Sequence, residues 1–188
     1  MKRVIAVALI LSLAGCDQAP DDGEASDAET ASPSGRILKY GIWELVKAGK
    51  IRETPETTTG KAIEKPTIRM VQQTDRIPMK LNTYFAYQYR ISNLPDQPLR
   101  AHFRRVLIHP EMTLPDGTKT TGSDFMIPGK VQRNEVFGSD GYALTEDYEL
   151  VDGTWTFQLW YEGEMMTEQN FTVFRPDRPA ENTENSGG

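Results

Sequence analysis

The stretch "GTWTFQLWYEG", residues 153–163, determines the fold class of this chain. Every second position carries a large apolar side chain: Trp155, Phe157, Leu159 and Tyr161. The alternate positions are mostly polar: Thr154, Thr156, Gln158 and Trp160. A two-residue period predicts a β-strand with one buried face. Gly163 then predicts a hairpin turn, and "NFTVF", residues 170–174, returns as the partner strand.

The same pattern recurs upstream in "YFAYQYRIS", residues 84–92, where one face carries Phe85, Tyr87, Tyr89 and Ile91. Weaker strand patterns cover 37–46, 67–73, 99–109 and 130–137, and turn sequences stand at 94–96, 115–117, 128–129 and 139–141. About seven short strands with regular turns predict an all-β fold, an antiparallel β-sandwich of immunoglobulin-like topology. Because no cysteine pair supports that topology, a jelly roll or an open barrel is the alternative.

The N-terminus has the features of a secretory signal. Lys2 and Arg3 precede an apolar run from Val4 to Leu13, which is shorter than the roughly 20 residues that span a bilayer. The run ends in "LAGC", and this sequence resembles the lipobox of bacterial lipoproteins. The resemblance implies that residues 1–15 are removed and that Cys16, the only cysteine, is lipidated as a membrane anchor. An ordinary signal peptide that contains a cysteine is the alternative.

Asp17 follows the cysteine directly. In lipoproteins of many Gram-negative bacteria an aspartate at this place resembles a sorting signal for the inner membrane. The resemblance implies lipid anchoring in the cell envelope, at the periplasmic face of the inner membrane. Alternatively, Asp17 merely opens an acidic linker.

Charge divides the chain into segments. Residues 17–35 carry six acids and no base, so 16–36 is predicted to be a flexible tether behind the lipidated cysteine. Residues 37–176 form the predicted β-sandwich domain, and 177–188 a disordered tail. Residues 36–176 contain 18 acids and 18 bases, so the domain has no net field to attract nucleic acid. We therefore expect no nucleic-acid partner.

Three stretches carry a family resemblance: "TDRIPMKLNTYFAYQY" at 74–89, "IHPEMTLPDG" at 108–117, and "GTWTFQLWYEGEMMTEQNFTV" at 153–173. They resemble an uncharacterised family of bacterial secreted and lipid-anchored domains. The resemblance implies an immunoglobulin-like sandwich. It implies no catalytic or binding residue.

Candidate catalytic and metal-binding groups are sparse. His102 and His109 should lie on opposite faces of one strand, about 23 Å apart, and are expected to be surface or turn residues. An acidic cluster is expected to be a solvated loop, with a calcium site as the alternative: Glu146, Asp147, Glu149 and Asp152. The sequence therefore predicts no catalytic residue, no metal and no cofactor.

Arg104 and Arg105 are candidate contact residues for a partner or ligand. As neighbours in a strand they point to opposite faces unless a bulge intervenes, and the phase of Val106 and Ile108 favours a bulge. Together they would form an anion site. The alternative is cross-strand pairing with acids such as Glu135.

The other candidate contacts are Trp160, Met165 and Met166. Trp160 faces away from Trp155, so it is covered by the long 47–65 connection or is exposed for contact with a protein or a glycan. The methionine pair is adaptable in contacts. The pattern around Trp43 leaves its placement open.

These features together favour a non-catalytic protein-interaction module of the cell envelope, with an envelope protein as partner. A glycan-binding or small-ligand-binding lipoprotein is the alternative. An enzyme is disfavoured because no catalytic spacing is present.

Overall fold

The structure is a computed structural model that describes residues 31–47, 49–64 and 67–176. Cys16, Asp17 and the predicted tail lie outside these ranges. The described residues form one short 3₁₀ helix, Asp147–Glu149. They also form eleven strands: β1 Ser34–Lys47, β2 Lys50–Glu53, β3 Lys61–Glu64, β4 Thr67–Gln72, β5 Arg76–Pro78, β6 Thr83–Ser92, β7 Arg100–Thr113, β8 Lys119–Lys130, β9 Val136–Leu144, β10 Gly153–Tyr161 and β11 Glu164–Phe174.

The strands build two main sheets and a small hairpin. One sheet has the order β4–β1–β6–β9, the other β5–β11–β10–β7–β8, and β2 pairs with β3. The parallel pairing of β5 with β11 is the exception among antiparallel pairs. The predicted all-β antiparallel sandwich is confirmed, but the expected count of about seven strands is too low. Nothing in the described part of the chain is a helix long and apolar enough to cross a membrane.

The core follows from the alternation in β6 and β10. Trp155, Phe157 and Leu159 are fully buried between the sheets. Phe85 of β6 meets the rings of Trp155 and Phe157 edge-on, with centroids 5.6 and 6.0 Å apart. Such edge-to-face pairs are the favoured geometry of buried aromatics. The two-residue period therefore places the aromatics of both sheets in one layer.

Two predicted turns are wrong. Residues 128–129 lie inside β8 and residues 139–141 inside β9, whereas the predicted strand 130–137 is largely the corner between them. Gly138 and Gly141 allow close approach rather than a turn: a Cβ on Gly138 would overlap the Tyr89 ring, and one on Gly141 the backbone of Phe85. Glycine within a strand commonly marks such contacts.

The chain enters and leaves the sandwich at opposite ends. Ser34 pairs with Ser92, and Asn93 Nδ2 donates to the carbonyl oxygen of Ser32, 3.1 Å away. This Ser34 end also carries the loops at 93–99, 131–135 and 162–163. Because β11 runs away from it, Phe174 lies at the far end, beside Pro78.

Truncation of the central core aromatic tests the strand register. Trp155→Ala should lower the free energy of unfolding by about 3–5 kcal/mol, because it removes a fully buried indole. The matched control, Thr154→Ala, removes an exposed side chain of the same strand and should change it little. Urea unfolding of both variants measures the difference. Equal midpoints for the two would contradict the register.

Candidate functional site

The regular alternation of inward and outward positions along β7 places the two candidate arginines on opposite faces. β7 pairs with β8 without interruption from Arg100 to Ile108, and the register shift comes only between Ile108 and Met112. Adjacent residues in a regular strand point to opposite faces. The expected bulge that would bring Arg104 and Arg105 together is therefore wrong.

Arg105 points into the sandwich and is only 6% exposed. Its Nε donates to Asp140 Oδ2 at 2.8 Å, and its Nη1 to Ser123 Oγ at 2.7 Å. Burial opposes the charge of Arg105, but the attraction and hydrogen bonds of Asp140, together with the nearby Tyr87 and Tyr142, raise the pKa of Arg105 overall. The prediction of Arg105 as a surface contact is wrong because its guanidinium is a buried link between the sheets.

Both arginines pair with acids, but not with the expected Glu135. Arg104 Nε lies 2.8 Å from Asp124 Oδ1 on the outer face of the five-stranded sheet. That hydrogen bond raises the pKa of Arg104 and lowers the pKa of Asp124. Glu135 instead lies 3.6 Å from Arg90 Nη1.

Four consecutive cross-strand partners form a line across the outer face of the five-stranded sheet: Met165, Trp160, Arg104 and Met126. We call this line the Trp160 row. Met165 and Met126 are 47% and 59% exposed, and Trp160 is partly exposed between its neighbours. The row thus presents one indole, two thioethers and one guanidinium on a regular sheet surface.

A chain of hydrogen bonds holds the indole in place. Trp160 Nε1 donates to Gln158 Oε1 at 3.1 Å, and Gln158 Nε2 donates to Glu168 Oε2 at 2.8 Å. Asn170 Nδ2 donates to the other oxygen of that carboxylate at 3.3 Å. Side chains fixed before binding lose less conformational entropy when a partner arrives.

The two methionines of the predicted pair are separated by an irregularity in β11. The register shift between Leu159 and Trp160 pairs Trp160 with Met165 and leaves Met166 as the extra residue. Met166 is half-buried and packs against the core. Of the predicted contacts, the structure therefore brings Trp160, Met165 and Arg104 together and adds Met126, which sequence reasoning missed.

In its described residues, the long 47–65 connection does not cover Trp160. Its residue Thr58 contacts His109, near the far end of β7, whereas Trp160 pairs with Arg104 close to the Ser34 end. Trp43 is buried on the outer face of the four-stranded sheet, where its Nε1 donates to the carbonyl oxygen of Ala86 at 2.9 Å. Trp43 therefore contributes to packing.

The two histidines lie on opposite faces, as predicted, but the expectation of a surface position fails for His109. That ring is buried 4.8 Å from the Trp155 ring, and its Nδ1 lies 2.7 Å from the carbonyl oxygen of Pro110. Burial lowers the pKa of His109. His102 is exposed on the outer face.

The acidic cluster is not simply a solvated loop. Glu149 is buried and accepts hydrogen bonds from the Tyr142 hydroxyl at 2.8 Å and from the Glu146 backbone at 2.9 Å. Burial and this carboxylate raise the pKa of Tyr142. Across the described ranges, no group of three or more His, Cys, Asp or Glu side chains is arranged to hold a metal ion.

The fold is that of an immunoglobulin-like β-sandwich domain. A crystal structure of an immunoglobulin-like protein from Pseudomonas aeruginosa is similar over 78% of this chain and 99% of its own, with a TM-score of 0.53 and 22% identity. Residues 31–173 match the family described as "Domain of unknown function (DUF3859)", and the chain belongs to that family.

Two other solved structures are more distant. An alkylpurine DNA glycosylase from Pseudomonas fluorescens covers 54% of this chain and 28% of its own, at 9% identity and a TM-score of 0.35. A β-glucosidase from Listeria innocua covers 55% and 15%, at 11% identity and a TM-score of 0.34. No curated protein matches the sequence.

Methionine oxidation tests the exposure of the Trp160 row. Met126 and Met165 should react with peroxide faster than Met112, which is 2% exposed, because thioether oxidation follows access. Mass spectrometry of peptides over a time course measures each rate, with Met112 as the internal control. Equal rates for Met112 and Met126 would contradict the assigned faces of β7 and β8.

Proposed function

We propose that this protein is a membrane-anchored bacterial lipoprotein and a non-catalytic protein-interaction module of the cell envelope. A lipid on Cys16 holds the chain at the periplasmic face of the inner membrane, and an envelope protein binds the Trp160 row. The observation that carries the proposal is an indole fixed on an open sheet face between Met165 and Arg104.

The chemistry of the row supports contact with a protein. Tryptophan and arginine are enriched among the residues that dominate binding energy at protein interfaces. Methionine adapts its shape to a partner surface. The ion pair of Arg104 with Asp124 is about half exposed on both sides, so both charges remain accessible to polar groups of a partner.

The anchoring part of the proposal rests on the sequence around Cys16. The basic residues, the short apolar run and the small residues before the thiol support lipidation, and Asp17 supports retention at the inner membrane. Several acyl chains on one cysteine hold a protein firmly, whereas a single chain holds only marginally.

The buried polar groups make contacts within the fold, and this supports a non-catalytic role. Arg105 joins the sheets through Asp140, His109 packs on Trp155, and Glu149 accepts hydrogen bonds around the 3₁₀ helix. Each of these groups contributes to packing within the fold.

A glycan-binding function is the second candidate. Gln158, Glu168 and Asn170 lie beside Trp160 on the same outer face. An aromatic face with amide and carboxylate neighbours matches the apolar face and hydroxyl groups of a sugar ring.

Crosslinking in living cells tests the proposed function. The tagged lipoprotein is crosslinked, purified, and its bound proteins are identified by mass spectrometry. We expect one dominant envelope protein that is lost in Trp160→Ala, because the variant removes the central side chain of the row. The control Val71→Ala, which truncates an exposed apolar side chain of the four-stranded sheet, should retain it.

Two further outcomes decide the rest of the proposal. Mass spectrometry of the protein extracted from membranes should find acyl chains on an N-terminal Cys16, and an N-terminal cysteine without them would contradict anchoring. If no protein is enriched but soluble cell-wall oligosaccharides bind and lose affinity in Trp160→Ala, the glycan function replaces the protein-interaction function.

A further inference from the structure

The outer face of the four-stranded sheet carries a basic and aromatic patch opposite the Trp160 row. Arg36 of β1 and Arg90 of β6 are direct cross-strand partners, and Phe137 of β9 is the next partner of Arg90. Leu38 and Lys39 follow in β1, at a bulge between Ile37 and Lys39. We call these five residues the Arg36 patch.

Among the residues that the structure describes, the charges of the patch are poorly balanced. Like charges directly opposite each other destabilise a sheet. Arg90 has one carboxylate, Glu135, at 3.6 Å, and its Nε is buried with no hydrogen-bond partner among the described residues. Arg36 and Lys39 are exposed, and neither forms an ion pair in the part of the chain that the structure describes. Within the described ranges, these three cations therefore share one acid.

Two large apolar side chains stand beside these cations. Phe137 is 64% exposed and Leu38 is 42% exposed. Cations next to an exposed aromatic and an exposed leucine match a bilayer surface, where phosphate groups lie above hydrocarbon. The patch is therefore complementary in charge and in polarity to an anionic lipid surface.

The position of the patch fits the same ligand. The Arg36 patch lies in the half of the sheet nearest the Ser34 end, and Ser34 is 18 residues from Cys16 in the sequence. This step rests on the proposed function, in which a lipid on Cys16 holds that end near the membrane. A tether raises the effective concentration of a second, weak contact, so modest attraction suffices.

We propose that the Arg36 patch binds an anionic lipid surface, so that the four-stranded sheet lies against the membrane and the Trp160 row faces away from it. Arg36, Lys39 and Arg90 contact lipid phosphates, and Phe137 and Leu38 enter the headgroup layer. The outer faces of the two sheets then have separate ligands, a lipid surface on one and a protein on the other.

Hydrogen exchange on vesicles tests this inference. The purified chain from Cys16 onward is coupled through its only thiol to a maleimide lipid, which supplies the anchor without depending on lipidation in the cell. It is studied on vesicles of phosphatidylethanolamine with phosphatidylglycerol and on vesicles of phosphatidylcholine alone. We expect slower exchange in the first half of β1 and in β9 on the anionic vesicles only.

Charge reversal supplies the control for this experiment. Arg36→Glu with Lys39→Glu should abolish the protection, whereas Lys50→Glu with Lys61→Glu on the far hairpin makes the same charge change and should retain it. Unfolding midpoints confirm that both double variants are folded. If exchange in β1 and β9 is slowed on neither kind of vesicle, or equally on both, the inference is overturned.

The outcomes also separate this inference from the proposed function. If Cys16 carries no acyl chain in cells but the coupled chain is protected on anionic vesicles, the anchor is wrong and the patch is right. If vesicles give no protection, but a crosslinked protein is lost in the Arg36→Glu and Lys39→Glu variant, the patch binds an acidic protein and not lipid.

Discussion

The buried ion pair of Arg105 and Asp140 is the constraint on which the exposed faces depend. Arg105 lies in β7 of one sheet and Asp140 in β9 of the other, with two nitrogen–oxygen contacts of 2.8 and 3.1 Å. Because the pair spans the interior, it fixes the position of one sheet against the other. Burial of Tyr84, together with the charge of Asp140, also raises the pKa of Tyr84 to about 12.

The inward position of Arg105 determines the outward position of Arg104. In a regular strand the neighbour of a buried residue faces solvent, so Arg104 joins Trp160 on the outer surface. A buried charge whose partner is lost is strongly destabilising. A slip of β7 by one residue would turn Arg105 away from Asp140 and expose the buried Phe103 and Leu107, and is therefore disfavoured. The proposed binding face is a direct consequence of a packing constraint in the core.

The alternation of β10 could be predicted from sequence because a two-residue period is local information. It placed Trp155 inside and Trp160 outside. Which residues of β7 face inward was harder to predict. Val106 and Ile108 are apolar yet face outward, so the apolar positions seemed to change face along the strand, and this suggested a bulge. Phe103 and Arg105 are two residues apart and both face inward, and this unbroken alternation is what indicates a regular strand. An arginine at an inward position needed a partner 35 residues away, which no local pattern shows.

Long-range contacts also explain the other differences. The Asp-Gly pair at 140–141 is a turn signal, but Asp140 is held by Arg105 and the glycine allows close approach to β6. Met126 and the Arg36 patch were missed because their neighbours are known only once the strand register is known. His109 was expected at the surface because sequence does not reveal that Trp155 and Thr58 enclose it.

A double-mutant cycle on Arg105 and Asp140, measured by urea unfolding, tests the central claim most directly. Arg105→Met and Asp140→Leu should each lower the free energy of unfolding by about 3–5 kcal/mol, because each leaves the other charge buried without its partner. The double variant should lose far less than the two changes together. Losses that simply add, to within about 0.5 kcal/mol, would contradict a direct ion pair between the sheets.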